Sequence, residues 1–370
     1  MMVFRIPGGN IMQEHLASKS EDLFCRKKPA GTRASGIVVV SLLSVLGFGG
    51  SWAQGENELW VRYPGADGPG RGKHIVLIAG DEEYRSEEYM PMLGQILARW
   101  HGFTCTVLFS IDPETGEINP NCQTNIPGLE HLQSADLMII GTRFRELPDD
   151  QMQYIVEYVE SGKPIIGIRT ATHAFAYTRN RNSKFAHYDW RSKSWPGGFG
   201  RQVLGETWVA HHGIHGKEST RGVINPEMAD HPILRGVRDV WGPTDVYTVR
   251  DLPPDAKVLL FGQVISGMNP TDPPVQGPKN DPMMPLAWIR FFKTPSGKES
   301  RVFCTTMGSA VDFACEDLRR LLVNAAYWCM GLEDQIPARA KVDYVSPYDP
   351  TPFGFGKFRP GVKPKDLAWK

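Results

Sequence analysis

The sequence predicts an α/β protein built on a doubly wound, mostly parallel sheet with helices on both faces. Three observations carry this expectation. Short continuous apolar runs, such as Lys73-His-Ile-Val-Leu-Ile-Ala79, have the length and character of strands buried on both sides. Between them lie segments whose apolar residues recur at helical spacing. Strand, helix and strand in that order close as right-handed units into a parallel sheet.

The elements follow in order. After the strand at 73–79, Met90, Leu93, Ile96, Leu97 and Trp100 form one face of a helix, with Ser86 as candidate cap and Pro91 tolerable only in the first turn. Phe103 to Phe109 is a second strand, and a short helix near Leu129 to Gln133 precedes a third at Asp136 to Ile140. Pro148 and Asp149 open a further helix, Met152, Ile155, Val156 and Val159 give its apolar stripe, and Gly162 stops it. Pro164 to Ile168 is the fourth strand. Residues 174–250, rich in Trp, Gly, His and Arg, interrupt the alternation as an insertion. Order returns with strand-like runs at Ala256–Phe261, Leu286–Phe292 and Arg301–Thr306 and a final helix carrying Leu318, Leu321, Leu322, Ala325, Ala326 and Cys329. The domain is expected over 73–335, behind an N-terminal extension (54–72) and ahead of an irregular Pro/Gly-rich tail (336–370).

The N-terminus reads as an export signal over residues 1–53. Arg26, Lys27, Lys28 and Arg33 precede the apolar run Ile37 to Phe48, and Ser51 and Ala53 occupy the small-residue positions of a cut before Gln54. The run is short of the ~20 residues a membrane span needs, so a secreted or periplasmic protein with no stable span is expected. Lys+Arg 41 against Asp+Glu 41 leaves no net charge, and no electrostatic footprint for nucleic acid or anionic membrane. Cys105, Cys122, Cys304, Cys315 and Cys329 remain after the cut, an odd number too sparse for a disulfide scaffold. Oligomeric state is open.

In open α/β sheets ligands bind beyond the carboxyl ends of the strands. That rule singles out Asp81-Glu82-Glu83-Tyr84-Arg85 after the first strand and Arg169-Thr170-Ala171-Thr172-His173 after the fourth. The insertion supplies the densest chemical signal of the chain: His211, His212 and His215, three of its ten histidines, in the Gly- and Trp-rich stretch Trp208 to Gly216. Imidazoles are the commonest metal ligands and transfer protons near neutral pH. In an extended stretch His211 and His212 point to opposite sides, so at most two of the three converge. The turn at Gly167-Ile-Arg-Thr-Ala171 resembles the nucleophile elbow of class I glutamine amidotransferases, but Arg169 stands where their cysteine sits. Arginine cannot be a nucleophile, while its fork suits carboxylates and polar sugar groups. Thr170 has no base-plus-orienter pattern beside it.

Several segments together resemble the ThuA-like (trehalose-utilisation) family, and its secreted branch most: Ile78 to Ser86, Gly167 to Thr172, Gly205 to Gly213, His231-Pro-Ile-Leu-Arg-Gly236, Pro285-Leu-Ala-Trp288, Thr305-Thr-Met-Gly308 and the tail Thr351-Pro-Phe-Gly-Phe-Gly356. The resemblance implies a flavodoxin-like, class I glutamine amidotransferase-like fold and a role in using trehalose or a related disaccharide, including 3-keto-glycosides. Many relatives carry His where this chain has Arg169, and His after Met-Gly where it has Ser309.

Two readings stay open. One is an exported enzyme, a hydrolase or lyase of sugar derivatives and not a glutamine amidotransferase. Its acid–base groups would come from Glu82, His173, His211, His212 and His215. Asp81, Glu83, Arg169, Thr170, His187, Trp190 and Trp208 would hold the sugar. No motif demands a cofactor; a divalent metal such as zinc would use His211 or His212 with His215 and a carboxylate from Asp81 to Glu83. The other is a non-catalytic carbohydrate-binding or scaffold domain on the same fold. On export the expectation is concrete. N-terminal sequencing of the native protein should begin near Gln54, and an intact Met1 or Met12 in a soluble cytoplasmic fraction overturns it.

Overall fold

The computed structural model describes residues 59–369, so the expected export signal and the first residues of the extension lie outside the described residues. The elements run β1 (Trp60–Tyr63), β2 (His74–Gly80), α1 (Ser86–His101), β3 (Thr104–Phe109), β4 (Leu137–Thr142), α2 (Asp149–Glu160), β5 (Ile165–Ile168), β6 (Ser219–Ile224), β7 (Val240–Gly242), β8 (Lys257–Ile265), β9 (Met284–Lys293), β10 (Glu299–Thr305) and α3 (Glu316–Cys329). These strands form one sheet in the order β1-β3-β2-β4-β5-β10-β9-β8-β6-β7. The run β3-β2-β4-β5-β10 is parallel throughout. On the far side β9, β8, β6 and β7 continue it antiparallel, and β1 adds an antiparallel edge to β3.

Alternation along each buried strand divides the core in two. Ile75 and Leu77 of β2 join Ile139, Ile166 and Phe303 in a cluster filled by α1 (Leu93, Ile96, Leu97) and α3 (Leu318, Leu321, Leu322, Ala325). Val76 and Ile78 face the other way, with Met138, Ile140 and Ile165, against α2 (Met152, Ile155, Val156, Val159) and the insertion's Phe199, Val203 and Leu204. Both faces of the parallel run are therefore covered, which is why its strands read as unbroken apolar runs.

Three expectations change. Part of the N-terminal extension is itself a strand, β1. The insertion is more than a loop, because it carries β6 and β7 into the sheet. Ser86 is the first helical residue of α1, not its cap: Arg85 holds the cap position with φ of 62°, and the Ser86 hydroxyl accepts from the Gly80 amide at 3.0 Å. No helix of the described residues is long and apolar enough to cross a membrane.

The insertion is seated on the turn after β5 through Gly200. A Cβ there would stand 2.0 Å from the carbonyl oxygen of Thr172, and backbone cannot step aside as a side chain can. Gly200→Ala should therefore lower stability by about 1–3 kcal/mol, read from denaturant unfolding. Unchanged stability would mean the insertion does not depend on this close approach.

Candidate active site

Four parallel strands, β2, β4, β5 and β10, end at one edge of the sheet, and their following residues meet there. Arg169, the first residue after β5, sits at the centre. Its guanidinium is fully buried and lies between two aromatic faces, 4.2 Å from the ring centre of Tyr84 and 4.1 Å from that of Tyr247. It donates to the Thr306 carbonyl after β10 (2.7 Å), to the Asp245 carbonyl (3.2 Å) and to Asp245 Oδ1 (3.1 Å). Both partners of this ion pair have side chains at 0% exposure. Backbone strain gathers at the same edge. Arg85, Phe144 and Arg169, which follow β2, β4 and β5, all have left-handed φ (62°, 53° and 43°), a conformation costing an L-residue roughly 1–2 kcal/mol. Such outliers persist where surroundings hold them, and they concentrate at functional sites.

The histidine loop is brought to Arg169 by backbone pairing with the stretch around Asp245. Ala210 accepts from Thr248 N (2.9 Å), and the amides of His212 and Gly213 donate to Val246 O (2.8 and 3.1 Å). At the loop's far end Glu218 accepts from the Ile214 amide and from Lys279. The result hangs two imidazoles on one carboxylate: His211 Nδ1 lies 2.6 Å from Asp245 Oδ2 and His215 Nδ1 3.0 Å from Asp245 Oδ1, with the rings 4.9 Å apart. Burial alone would raise the Asp245 carboxyl's proton affinity. The hydrogen bonds from His211 and His215 and the charge of Arg169 prevail, holding it well below the usual carboxylate range.

Around this trio lies a charged shelf from the loop after β2. Asp81 accepts from the amides of Glu83 (2.8 Å) and Tyr84 (3.0 Å) and from the Thr170 hydroxyl (2.7 Å), tying the first loop to the fourth. Glu82 is clamped between Arg143 and Arg145. Glu83 stands 3.4 Å from Arg143 Nε and 3.6 Å from His215 Nε2. Burial lifts its carboxyl above the ordinary range against the pull of Arg143. His173 is buried and held neutral, its proton affinity lowered by desolvation and by Arg143 and Arg169. Its ring packs against Phe144, Trp208 and Trp190 at 5.0, 5.6 and 6.4 Å. The C-terminal tail completes the rim: Phe353 lies on His215 (5.1 Å) and Tyr84 (5.8 Å), and Phe355, 61% exposed, lies under Arg143 (5.1 Å). Gly354 N donates to Glu83 O at 2.7 Å.

Of the residues singled out from sequence, Asp81, Glu82, Glu83, Arg169, Thr170, His173, Trp190, Trp208, His211 and His215 come to this edge. Two do not join it. His212 points to the opposite side from His211, as extended backbone requires, and its Nε2 bonds the Lys279 carbonyl at 2.8 Å. His187 packs on Tyr188 and Trp195. The carboxylate bonded to both imidazoles is Asp245, not one from 81–83. Asp245, Tyr247, Arg143, Arg145, Phe353 and Phe355 were missed. The loop after the third parallel strand in chain order was open to the carboxyl-edge rule, which points at Arg143 and Arg145 directly. No disulfide joins the cysteines of the described residues. Cys105, Cys304 and Cys329 are buried, with thiols pushed well up by desolvation.

With this arrangement in hand the chain was compared with known proteins. The family model ThuA, described as trehalose utilisation, matches residues 121–329. The chain belongs to the ThuA family. The matched span holds Arg143, Arg169, His211, His215 and Asp245, and leaves the Asp81–Arg85 loop and the tail outside it. Among solved structures the chain is similar to a ThuA-like protein from Parabacteroides merdae ATCC 43184, at 16% identity over 80% of this chain and 99% of that one, TM-score 0.46. It is also similar to a ThuA-like protein from Bacteroides uniformis ATCC 8492, at 16% identity over 72% and 95%, TM-score 0.44. No curated protein matches it.

The lowered proton affinity of Asp245 gives this ThuA protein a definite acid response. A carboxyl that binds protons less readily when folded adds stability above its unfolded value, near pH ~3.9, and loses it as pH falls through the folded one. Asp245→Asn also leaves Arg169 buried without its counter-charge. At neutral pH the variant should lose about 3–5 kcal/mol, and its deficit should shrink in acid as the parent protonates. Denaturation midpoints from neutral pH into strong acid check this, and a deficit constant with pH contradicts it.

Proposed function

We propose that this ThuA-family protein is an exported enzyme of carbohydrate utilisation, acting on trehalose, a related disaccharide or its 3-keto derivative without a cysteine nucleophile. The observation that carries the reading is the His211–Asp245–His215 constellation. Two imidazoles oriented by one ionised carboxylate lie together at an aromatic-rimmed edge of the sheet, with His215 turning its Nε2 toward Glu83. Each ring is 35% exposed, so a ligand can reach it. Trp190, Trp208, Phe144 and Phe355 offer the flat apolar faces on which sugar rings stack, and Arg143 offers donors for hydroxyl or keto oxygens. Glu83 stands beside His215 as a further carboxyl at the site, 3.6 Å from its Nε2. The doubly wound, flavodoxin-like winding belongs to the same reading, supported by the strand order and by helices on both faces of the parallel run.

The alternative is a non-catalytic carbohydrate-binding domain. It is favoured by one observation: Glu82 and Arg169, the obvious polar groups at the elbow, are spent on internal ion pairs. Turnover separates the two. His211→Ala and His215→Ala should each lower kcat by about 10²–10⁴-fold on plain or 3-keto disaccharides. His212→Ala and single replacements of Cys105, Cys122, Cys304, Cys315 and Cys329 should leave kcat unchanged in folded protein. Sugar binding without any turnover supports the alternative, and a folded cysteine variant devoid of activity refutes the mechanism.

A further inference from the structure

We propose that the site holds one divalent transition-metal ion at His211 and His215, whose donor atoms lie with those of Asp245 within 4.8 Å of one another, with Oε1 of Glu83 beside His215 as the third ligand and Asp245 as the carboxylate that orients the two rings. The inference rests on the reading of this edge as the working site, and it names the agent that site employs.

The contacts of both rings to Asp245 are too long to be metal bonds. At 2.6 and 3.0 Å they are hydrogen bonds, far from the ~2.0–2.1 Å of a zinc–imidazole bond. A neutral imidazole that donates through Nδ1 keeps its lone pair on Nε2, across the ring. A histidine ligand commonly gives its other N–H to a carboxylate, which sets its tautomer and aim. Here one carboxylate does this for two rings at once. Arg169 pins that carboxylate through Oδ1 at 3.1 Å.

Glu83 Oε1 stands 3.6 Å from His215 Nε2, too long for a hydrogen bond. Two donors bound at ~2.0–2.1 Å to one tetrahedral centre stand roughly 3.3 Å apart, so the pair is spaced as ligands of a shared ion. The other Glu83 oxygen, Oε2, faces Arg143 and is not needed for the ion.

Three protein donors leave a position for water or a substrate oxygen, as in catalytic rather than structural sites. There the ion supplies a Lewis acid for a carbonyl or hydroxyl oxygen.

The test needs no substrate. Full-length protein stripped with EDTA is titrated with Co²⁺ and with Zn²⁺, following binding by equilibrium dialysis and the cobalt site by its visible absorption. One equivalent should bind, giving the intense bands of a four-coordinate site. His215→Ala and His211→Ala should each weaken binding at least about 100-fold. Glu83→Gln should do so at least about 10-fold, with altered bands. Asp245→Asn should weaken it about 10–100-fold with the bands retained, and His212→Ala should change nothing. Since Asp245→Asn can cost the fold, the partly exposed His215 and Glu83 variants decide the ligand set, each checked for its parent's thermal transition. Absence of a stoichiometric ion in the wild-type protein overturns the proposal, as does binding that survives His211→Ala and His215→Ala. An Asp245→Asn variant that is folded and metal-free while Glu83→Gln binds normally would place the ion on Asp245 and refute this ligand set. Turnover by metal-free protein overturns the metal and leaves direct proton transfer by the imidazoles standing. A bound ion without turnover upholds the metal and removes the enzyme reading.

Discussion

The edge of the sheet is organised by one buried ion pair, Arg169 with Asp245. A guanidinium with no exposure is tolerable only if its charge is matched and most of its donors are met; both terminal nitrogens of Arg169 are bonded, while its Nε has no partner. Here Tyr84, Tyr247, Thr306 and Asp245 share that task. These partners arrive from three segments: the loop after β2 (Tyr84), the stretch between β7 and β8 (Asp245 and Tyr247) and the residue after β10 (Thr306). Meeting the needs of one side chain thereby fixes four parts of the chain relative to one another. Asp245, once fixed, dictates the positions of both imidazoles. The hold of this pair reaches the rings through the Asp245 hydrogen bonds and through the ring contacts of Tyr84 with His215 and of Tyr247 with His211.

This arrangement gives a physical meaning to arginine at the elbow. A turn that in other folds lifts a nucleophile toward substrate here carries a charge inward. The strained backbone of Arg169 aims a cation at a carboxylate, not a reactive atom at a ligand. Ser309, after the Met-Gly of β10's exit, is likewise turned to internal duty: its amide, with that of Gly308, is held by the fully buried Asp312.

Legibility in the sequence followed length and locality. The strands β2, β3, β4 and β5 are continuous apolar runs long enough to declare themselves, and α2 shows its stripe because one face alone is buried. The strands β1, β6 and β7 are short or mixed, as in Ser219-Thr-Arg-Gly-Val-Ile224, and gain their standing from partners far along the chain. Asp245 was hidden for the same reason. In Thr244-Asp-Val-Tyr247 it reads as the polar tooth of an alternating stretch. Its burial is decided by Arg169, 76 residues away. The divergence of His211 and His212 was readable because it depends on nothing beyond two adjacent Cβ directions. That His211 and not His212 faces the site depended on how the loop pairs with residues 246–248, which no local pattern announces.

The tail bears on the order in which the protein is made. Phe353 and Phe355 come after every other residue of the site in the chain, and synthesis proceeds from the N-terminus. The sheet, the arginine pair and the histidine loop are all encoded before the wall that leans on Tyr84, His215 and Arg143 exists. A chain that stops short of residue 353 keeps its imidazoles but has an unwalled cleft, and it also lacks Leu367 and Trp369, which pack on Tyr63. Completion of the cleft therefore waits on residues made after everything they close over, so the wall can join only a site whose other parts already exist.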